Sequence, residues 1–317
     1  MFESNRPKVS GRILMIMLVC LVSAHAGAAT VYKYKDDKGR WVMTDKPPAV
    51  GAAVEVESRQ LLFTEKHHKI AVVNRGSRQR PMLYVVNQTA GPAQVWLEFT
   101  QQENLRFSKQ PPFEWVVPAF VEQFVLQLEP AQAQRSWAYE WTYFFVPGAP
   151  VHLDEIGRPE LGLPFRGGPF RISQAFMGEA SHKQSRQAHF AVDIPMPDGT
   201  PIVAVKAGVV TEVERDFSRS GWSEEYADEA NYVRVLHDDG TMSVYAHLAP
   251  DRVDVVPGQN VRPGQLLGYS GGTGFSTGPH LHFVLQANQG RELVSVPFRF
   301  RGYSTDPQVG ELLENRR

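Results

Sequence analysis

The stretch GPHLHFVL at residues 278–285 follows a glycine-rich segment and has the composition of a β-strand. Residues two apart on a strand point to the same face with Cα atoms ~7 Å apart, so His280 and His282 project side by side from a rigid element. A strand that only had to pack against a core would more often carry Val, Ile or Phe at these positions. The pair therefore predicts a metal-binding or catalytic strand. The alternative is a surface strand that happens to carry two histidines.

Two further segments offer side chains that bind metals or transfer protons. The motif AHFAVDIPMPDGTPI holds His189 and Asp193, and the apolar run before YAHL ends in His247. The prolines and glycine after Asp193 argue against a long helix, and in a straight strand the Cα atoms of His189 and Asp193 would be ~13 Å apart. The chain must therefore bend between them if both bind one ion. His182, a short way upstream, is a rival for His189 as the first ligand, and its alternative interpretation is an exposed loop residue.

Taken in order, the motifs AHFAVDIPMPDGTPI, YAHL and GYSGGTGFSTGPHLHF resemble those of the lysostaphin-like (LytM-type) zinc metallopeptidases, which cleave peptidoglycan peptides. The resemblance covers roughly residues 160–300. It implies one zinc ion per chain, bound by His189, Asp193 and His282. It also implies a mainly antiparallel β-domain for this part of the chain.

The same resemblance implies that His247 and His280 are catalytic, activating water and stabilising the transition state. Three nitrogen and oxygen ligands leave a fourth tetrahedral position for water, which is typical of a catalytic zinc site rather than a structural one. A neutral imidazole at either position can take the proton of that water and return one to the leaving amine.

The chain departs from the family pattern at three places. Ala191 stands where the family usually has glycine, and Val284 replaces its usual acidic residue. If position 191 needs a positive φ, alanine costs ~1 kcal/mol or more there. The loop at residues 216–230 is longer than usual and carries the carboxylates Glu224, Glu225, Asp228 and Glu229. It is expected either to border the substrate groove or to be a solvated acidic loop.

Residues 1–29 have the pattern of a secretory signal peptide. Basic residues precede an apolar run at residues 13–22, and small-x-small cleavage sites follow it. The run is shorter than the ~20 residues of a membrane span, although an uncleaved anchor is the alternative. Export to the periplasm or cell envelope is therefore expected. The one cysteine, Cys20, lies inside this segment, so removal leaves no disulfide and no cysteine nucleophile.

Residues 30–48 predict a small β-hairpin domain, because two alternating runs flank an Asp-Lys-Gly turn. This segment resembles a small domain of unknown function found near the start of many Gram-negative envelope proteins. The resemblance supports an envelope location and suggests an envelope protein partner for the N-terminal domains. A charged linker with little regular structure is expected at residues 49–66.

Residues 67–150 predict an immunoglobulin-like β-sandwich, because short apolar runs alternate with Gly-Pro and Pro-Pro punctuation. Four aromatic residues share one face of a predicted strand: Trp137, Tyr139, Trp141 and Tyr143. Packing in the sandwich core is one interpretation of this face, and a platform for stacking glycans is the other.

Residues 151–300 are predicted to form the antiparallel-β peptidase domain, and residues 301–317 a C-terminal tail. His237 precedes Asp-Asp-Gly between two apolar runs. This arrangement predicts a hairpin turn and a structural rather than a catalytic histidine.

The 33 basic and 34 acidic residues nearly balance, so charge gives no argument for binding nucleic acid. The expected function is a secreted zinc metalloendopeptidase that hydrolyses peptide cross-links of peptidoglycan, with the D-alanyl–diaminopimelate bond as the expected target. One alternative is a non-catalytic LytM-type binding module that activates a cell-wall amidase. Such relatives have lost ligands, and this chain retains them. A metalloprotease that acts on proteins is the other alternative.

Overall fold

The computed structural model describes residues 28–35, 41–44, 57–62 and 69–315. Nearly all of the predicted signal peptide lies outside these residues, as does Cys20. The described chain is almost entirely β-structure, which confirms the predicted mainly-β class. None of its helices is both long and apolar enough to cross a membrane.

The N-terminal sheet has the strand order β2-β1-β3, where β1 is Ala28–Lys35, β2 is Trp41–Thr44 and β3 is Glu57–Leu62. The antiparallel pairing of β1 with β2 confirms the predicted hairpin. The prediction of an unstructured linker over residues 49–66 is wrong where β3 pairs with the other edge of β1. The free edge of β1 presents unpaired backbone N–H and C=O groups, which β3 satisfies by pairing with it. Because β3 has no alternating apolar pattern of its own, the sequence did not indicate a strand there.

The described residues cluster into two compact units, of which the first comprises His68–Val151 and Asn288–Leu293. Its two antiparallel sheets have the orders β4-β5-β9-β7 and β10-β6-β8. The strands are β4 (Ile70–Asn74), β5 (Met82–Asn87), β6 (Ala93–Glu103), β7 (Leu105–Phe107), β8 (Glu114–Val117), β9 (Val121–Pro130) and β10 (Ala138–Pro147).

Both sheets contribute to one apolar core, so this unit is a sandwich. Val85 and Val125 of the first sheet lie in the same buried cluster as Trp141 and Tyr143 of the second, with Trp137 and Tyr139 packed against it. The aromatic face of β10 is therefore core packing, and the glycan-platform interpretation is not supported. The immunoglobulin-like identity of the sandwich remains a prediction.

The second unit comprises His152–Ala287 and residues 294–315, together with the described strands of the N-terminal sheet. It has a short helix, two 3-10 turns and sixteen strands after residue 152. They are α1 (Leu153–Ile156), the turns His182–Gln184 and Glu224–Tyr226, and β11 (Glu160–Leu161), β12 (Phe170–Arg171), β13 (Val192–Pro195), β14 (Pro201–Val203), β15 (Gly208–Glu214), β16 (Ser220–Gly221), β17 (Tyr232–Leu236), β18 (Met242–Ala246), β19 (Leu248–Val253), β20 (Asn260–Val261), β21 (Leu266–Ser270), β22 (Gly274–Phe275), β23 (His280–Asn288), β24 (Leu293–Ser295), β25 (Arg299–Phe300) and β26 (Leu312–Leu313).

The main sheet of this unit follows the order β13-β23-β18-β17-β15-β20. Its pairings along this order are antiparallel, as predicted for the peptidase domain. The predicted tail at residues 301–317 is partly wrong, because β26 pairs with β12 and Leu313 is fully buried. A buried leucine gives this segment the apolar contact that a free tail would lack.

A buried polar network crosses the hairpin of β17 and β18. His237 Nδ1 lies 2.8 Å from the Ala207 carbonyl, and its Nε2 lies 3.0 Å from the Ser243 hydroxyl. The Tyr245 hydroxyl lies 3.1 Å from that of Ser243 and accepts the Val205 N–H at 2.9 Å. Burial lowers the pKa of His237, so the ring is neutral and donates from Nδ1 to the carbonyl. These contacts confirm the structural role predicted for His237.

Replacing Tyr245 by phenylalanine is expected to lower the free energy of unfolding by ~1–3 kcal/mol, because the buried Val205 N–H loses its acceptor while the ring volume stays. Urea unfolding monitored by circular dichroism measures the change. The control is Tyr269→Phe, where the ring lies 3.9 Å from the Arg252 guanidinium and the loss should stay within ~0.5 kcal/mol. Equal unfolding midpoints for the two variants would contradict the role of this network.

Candidate metal centre

The central strand β23 sets the geometry of the candidate site. Leu281 and Phe283 are fully buried on one face of β23, which leaves His280 and His282 together on the other. This confirms the same-face prediction. Asp193 of β13 lies directly opposite His282 in the antiparallel register, so two potential ligands meet across neighbouring strands.

His182, Asp193 and His282 form one group whose potential ligand atoms all lie within 4.8 Å of one another. His282 Nδ1 is 2.8 Å from Asp193 Oδ1, and His182 Nε2 is 3.2 Å from Asp193 Oδ2. Burial opposes the ionisation of Asp193, but its contacts with the two histidines outweigh burial and hold its pKa well below the ordinary value. The carboxyl group is therefore an anion at neutral pH.

The environment of His182 fits a metal ligand. Its Nδ1 lies 2.9 Å from the Ala175 carbonyl, which can only accept, so Nδ1 carries the hydrogen and Nε2 keeps its lone pair. Nε2 is fully buried, and no group in the described chain gives it a hydrogen bond. A buried polar atom without a partner normally costs ~1–3 kcal/mol. A cation held between this nitrogen and Asp193 would remove that cost.

The structure does not bring His189 into this group; His182, its rival in the sequence, lies there instead. Residues 188–191 form a turn in which the Ala191 N–H donates to the Ala188 carbonyl at 2.8 Å, and β13 begins only at Val192. The expected bend before Asp193 is thus present, but it does not place the His189 imidazole beside the carboxylate. Ala191 is not among the residues with positive φ, so the alanine there carries no left-handed strain.

Two further histidines lie against the group. The ring centroids of His247 and His280 are 4.5 Å apart, and those of His247 and His282 are 5.9 Å apart. His247 follows β18 with a φ of +61°, a conformation uncommon outside glycine that turns the side chain away from the strand direction. The structure therefore brings together four of the five predicted site residues, all except His189.

Both of these histidines are oriented by backbone carbonyls. His247 Nδ1 donates to Thr273 at 2.7 Å, and His280 Nδ1 donates to Gly278 at 2.9 Å. Burial, together with the neighbouring imidazoles of His280 and His282, lowers the pKa of His247 to about 3. Burial also lowers the pKa of His280, although Asp193 opposes the shift. Both rings are neutral at pH 7, with Nε2 as the basic nitrogen.

The group opens into a groove of about 690 Å³. His247, His280 and His282 line it, as do Trp222, Ala227 and Ala230 of the loop at residues 216–230. The expectation that this loop borders the groove is confirmed. Trp222 was not singled out in the sequence, because an isolated tryptophan in a polar loop has no periodicity to mark it.

Gln174 is a supporting residue that the sequence motifs do not indicate. Its Nε2 donates to Asp193 Oδ2 at 2.8 Å and to the Ser181 hydroxyl at 2.8 Å. An amide that donates to a carboxylate fixes the orientation of that carboxylate. The sequence separation of 19 residues offers no local signal for this contact.

In a comparison with known protein families, residues 187–293 match the model described as Peptidase family M23. A second model, described as Domain of unknown function (DUF4124), matches residues 18–61. The second match confirms the resemblance noted at the N-terminus and extends beyond residues 30–48 on both sides. His182 lies outside the region matched by the first model, whereas Asp193, His247, His280 and His282 lie inside it.

Among curated proteins, the chain is similar to lysostaphin of Staphylococcus simulans, with 39% identity over 101 residues that make up 32% of this chain and 18% of lysostaphin. It is also similar to the peptidoglycan DD-endopeptidase ShyA of Vibrio cholerae, with 36% identity over 118 residues, or 37% of this chain and 25% of that protein. The chain thus spans a quarter or less of the length of these relatives. Among solved structures, the catalytic domain of the M23 protein EnpA from Enterococcus faecalis aligns with a TM-score of 0.32 and 28% identity, covering 42% of this chain and 92% of that domain.

Proposed function

We propose that this protein, whose residues 187–293 match the model of Peptidase family M23, is a zinc metalloendopeptidase that hydrolyses peptide cross-links of peptidoglycan. The observation that carries this proposal is the group of His182, Asp193 and His282, which opens into a groove beside two neutral imidazoles. The names of the relatives support the substrate class, since ShyA is described as a peptidoglycan endopeptidase.

Two imidazoles and one carboxylate suit zinc, and a set of three ligands is typical of a catalytic site. Bound there, zinc would act as a Lewis acid on the scissile carbonyl and lower the pKa of an attacking water. Gln174 and the Ala175 carbonyl hold Asp193 and His182 in place for this ion. We propose one zinc ion per chain.

Proton transfer is assigned to His247 and His280. Each holds its Nδ1 hydrogen on a carbonyl, so each presents a basic Nε2 nitrogen. One imidazole accepts a proton from the attacking water and returns a proton to the leaving amine. Before it returns that proton, the imidazolium, whose ring centroid lies 4.5 Å from that of the neighbouring histidine, can donate a hydrogen bond to the oxyanion.

The groove beside the two imidazoles has a volume of about 690 Å³. A D-alanyl–diaminopimelate cross-link between stem peptides is the proposed bond. The signal-like residues 1–29 and the N-terminal domain match support a place in the periplasm or cell envelope, with an envelope protein partner for the N-terminal domains.

The alternative of a non-catalytic module that activates an amidase predicts the loss of ligands or imidazoles. No observation on the described chain favours it, because the three-residue group and both further histidines are present.

Incubating the zinc-loaded mature protein with purified cross-linked muropeptides is expected to yield monomers, identified by mass. Treatment with a chelator should reduce the rate by more than ~100-fold, and one equivalent of zinc should restore it, because the ion supplies the Lewis acid. Unchanged dimers after prolonged incubation, together with cleavage of unfolded protein substrates, would replace the proposed substrate class with proteins.

A further inference from the structure

An aromatic pair forms one wall of the groove. The rings of Trp222 and Phe275 are stacked, with centroids 4.5 Å apart and an angle of 27° between their planes. Both residues line the groove that contains His247, His280 and His282. Phe275 covers one face of the indole, and Trp222 remains 62% exposed. The other face of the indole is therefore available to a molecule in the groove.

The backbone holds this pair rigidly. Strand β16, just before Trp222, pairs in parallel with β22, which contains Phe275. The Gly274 N–H donates to the Arg219 carbonyl at 2.8 Å, and the Ser276 N–H donates to the Gly221 carbonyl at 3.2 Å. A Cβ at Gly221 would lie 2.5 Å from the Tyr226 ring, so only glycine allows this close packing of the loop. The indole is thus positioned before any ligand arrives.

The loop that carries Trp222, residues 216–230, has five carboxylates and one basic residue, so its net charge favours a cation over an anion. Arg219 is engaged by Glu229 at 3.3 Å and by the Tyr226 ring at 4.9 Å, so the loop offers no cation of its own to the indole. Glu225 and Asp228 are exposed on the same loop. The face of an indole attracts cations, and tryptophan does so more strongly than other aromatic residues. The indole face also accommodates methylene groups by apolar contact.

Trp222 lines the same groove as His280 and His282, so a side chain that contacts the indole belongs to a residue near the scissile bond. We propose that Trp222, stacked on Phe275, is a specificity-determining residue that binds a substrate side chain made of methylene groups and carrying an ammonium group. This inference rests on the proposed function, and it identifies the diamino acid of the stem peptide as the group that the protein recognises.

The test compares two cross-linked stem-peptide dimers that differ only in the unlinked side-chain amine, which is either free or acetylated. Acetylation removes the positive charge and keeps the methylene groups. The wild-type protein is expected to cleave the free-amine dimer with a kcat/KM about tenfold higher. Trp222→Ala should remove this preference through KM, with kcat and zinc content unchanged. Trp222→Phe should retain part of it, because a smaller aromatic face remains.

The matched control is Val256→Ala, which truncates an apolar side chain that is 51% exposed and does not line the groove. It should leave both dimers unaffected. Equal loss of kcat/KM on both dimers in Trp222→Ala, or no loss on either, would overturn the proposal. If the wild-type protein cleaves neither dimer, the proposed function fails by itself. Titration calorimetry of the two dimers then still decides the role of Trp222, and equal affinities would refute it.

Discussion

His182→Ala is expected to abolish zinc binding and activity together, whereas His189→Ala leaves both largely intact. His182 Nε2 is buried, has no hydrogen-bond partner among the described residues and lies 3.2 Å from Asp193 Oδ2. Removing a direct ligand should cost more than the ~10–100-fold in affinity that follows the loss of a supporting contact. His189 sits on a turn outside the three-residue group, so its imidazole has no part in holding the ion.

Zinc content after dialysis, measured by emission spectroscopy, and competition with a chromophoric chelator check this result. Circular dichroism of the two alanine variants shows whether either has lost its fold. The opposite outcome, with zinc lost in His189→Ala and kept in His182→Ala, would return the first ligand to the histidine indicated by the His-x-x-x-Asp spacing.

The second large effect is expected at the proton-transfer residues. His280→Ala and His247→Ala should each keep one zinc per chain and lower kcat by ~10²–10⁴, because general acid–base catalysis contributes that much. His282→Ala and Asp193→Ala, which remove ligands, should instead lose zinc and activity together. The contrast between His280 and His282 is sharp because the two side chains share one face of β23.

Separate measurements of zinc content and single-turnover rates distinguish the two classes of variant. Loss of metal in His280→Ala combined with its retention in His282→Ala would reverse the assigned roles of the two histidines. The Nδ1 atoms of His247 and His280 are bonded to backbone oxygens, which remain in place after either alanine substitution.

The elements that carry the site follow from local sequence pattern. HLHFVL predicts β23 and the common face of its two histidines, because side-chain direction alternates with period two on any strand. The position of Asp193 opposite His282 is a matter of register between strands 89 residues apart, which no local pattern encodes. The motif resemblance supplied this partner.

The first ligand shows where sequence reasoning stops. His189 and Asp193 have the spacing of the family motif, but the turn at residues 188–191 is a tertiary outcome that spacing alone does not determine. His182 reaches the carboxylate through a 3-10 turn and a contact with the Ala175 carbonyl. Strand β3 and the buried Leu313 were missed for a related reason: both are recruited by the unpaired edges of other strands rather than by their own periodicity.

The loop between β21 and β23 serves several tasks at once. Thr273 orients His247, Gly278 orients His280, and Phe275 supports Trp222. A substitution in this loop would therefore disturb proton transfer and ligand recognition together, and selection has little freedom to alter one without harming the other. The loop at residues 216–230 also lines the groove, but it does not supply the carbonyl groups that orient the two histidines. Variation in its length and side chains is the route by which a lineage could retune its preferred peptide while its chemistry stays constant.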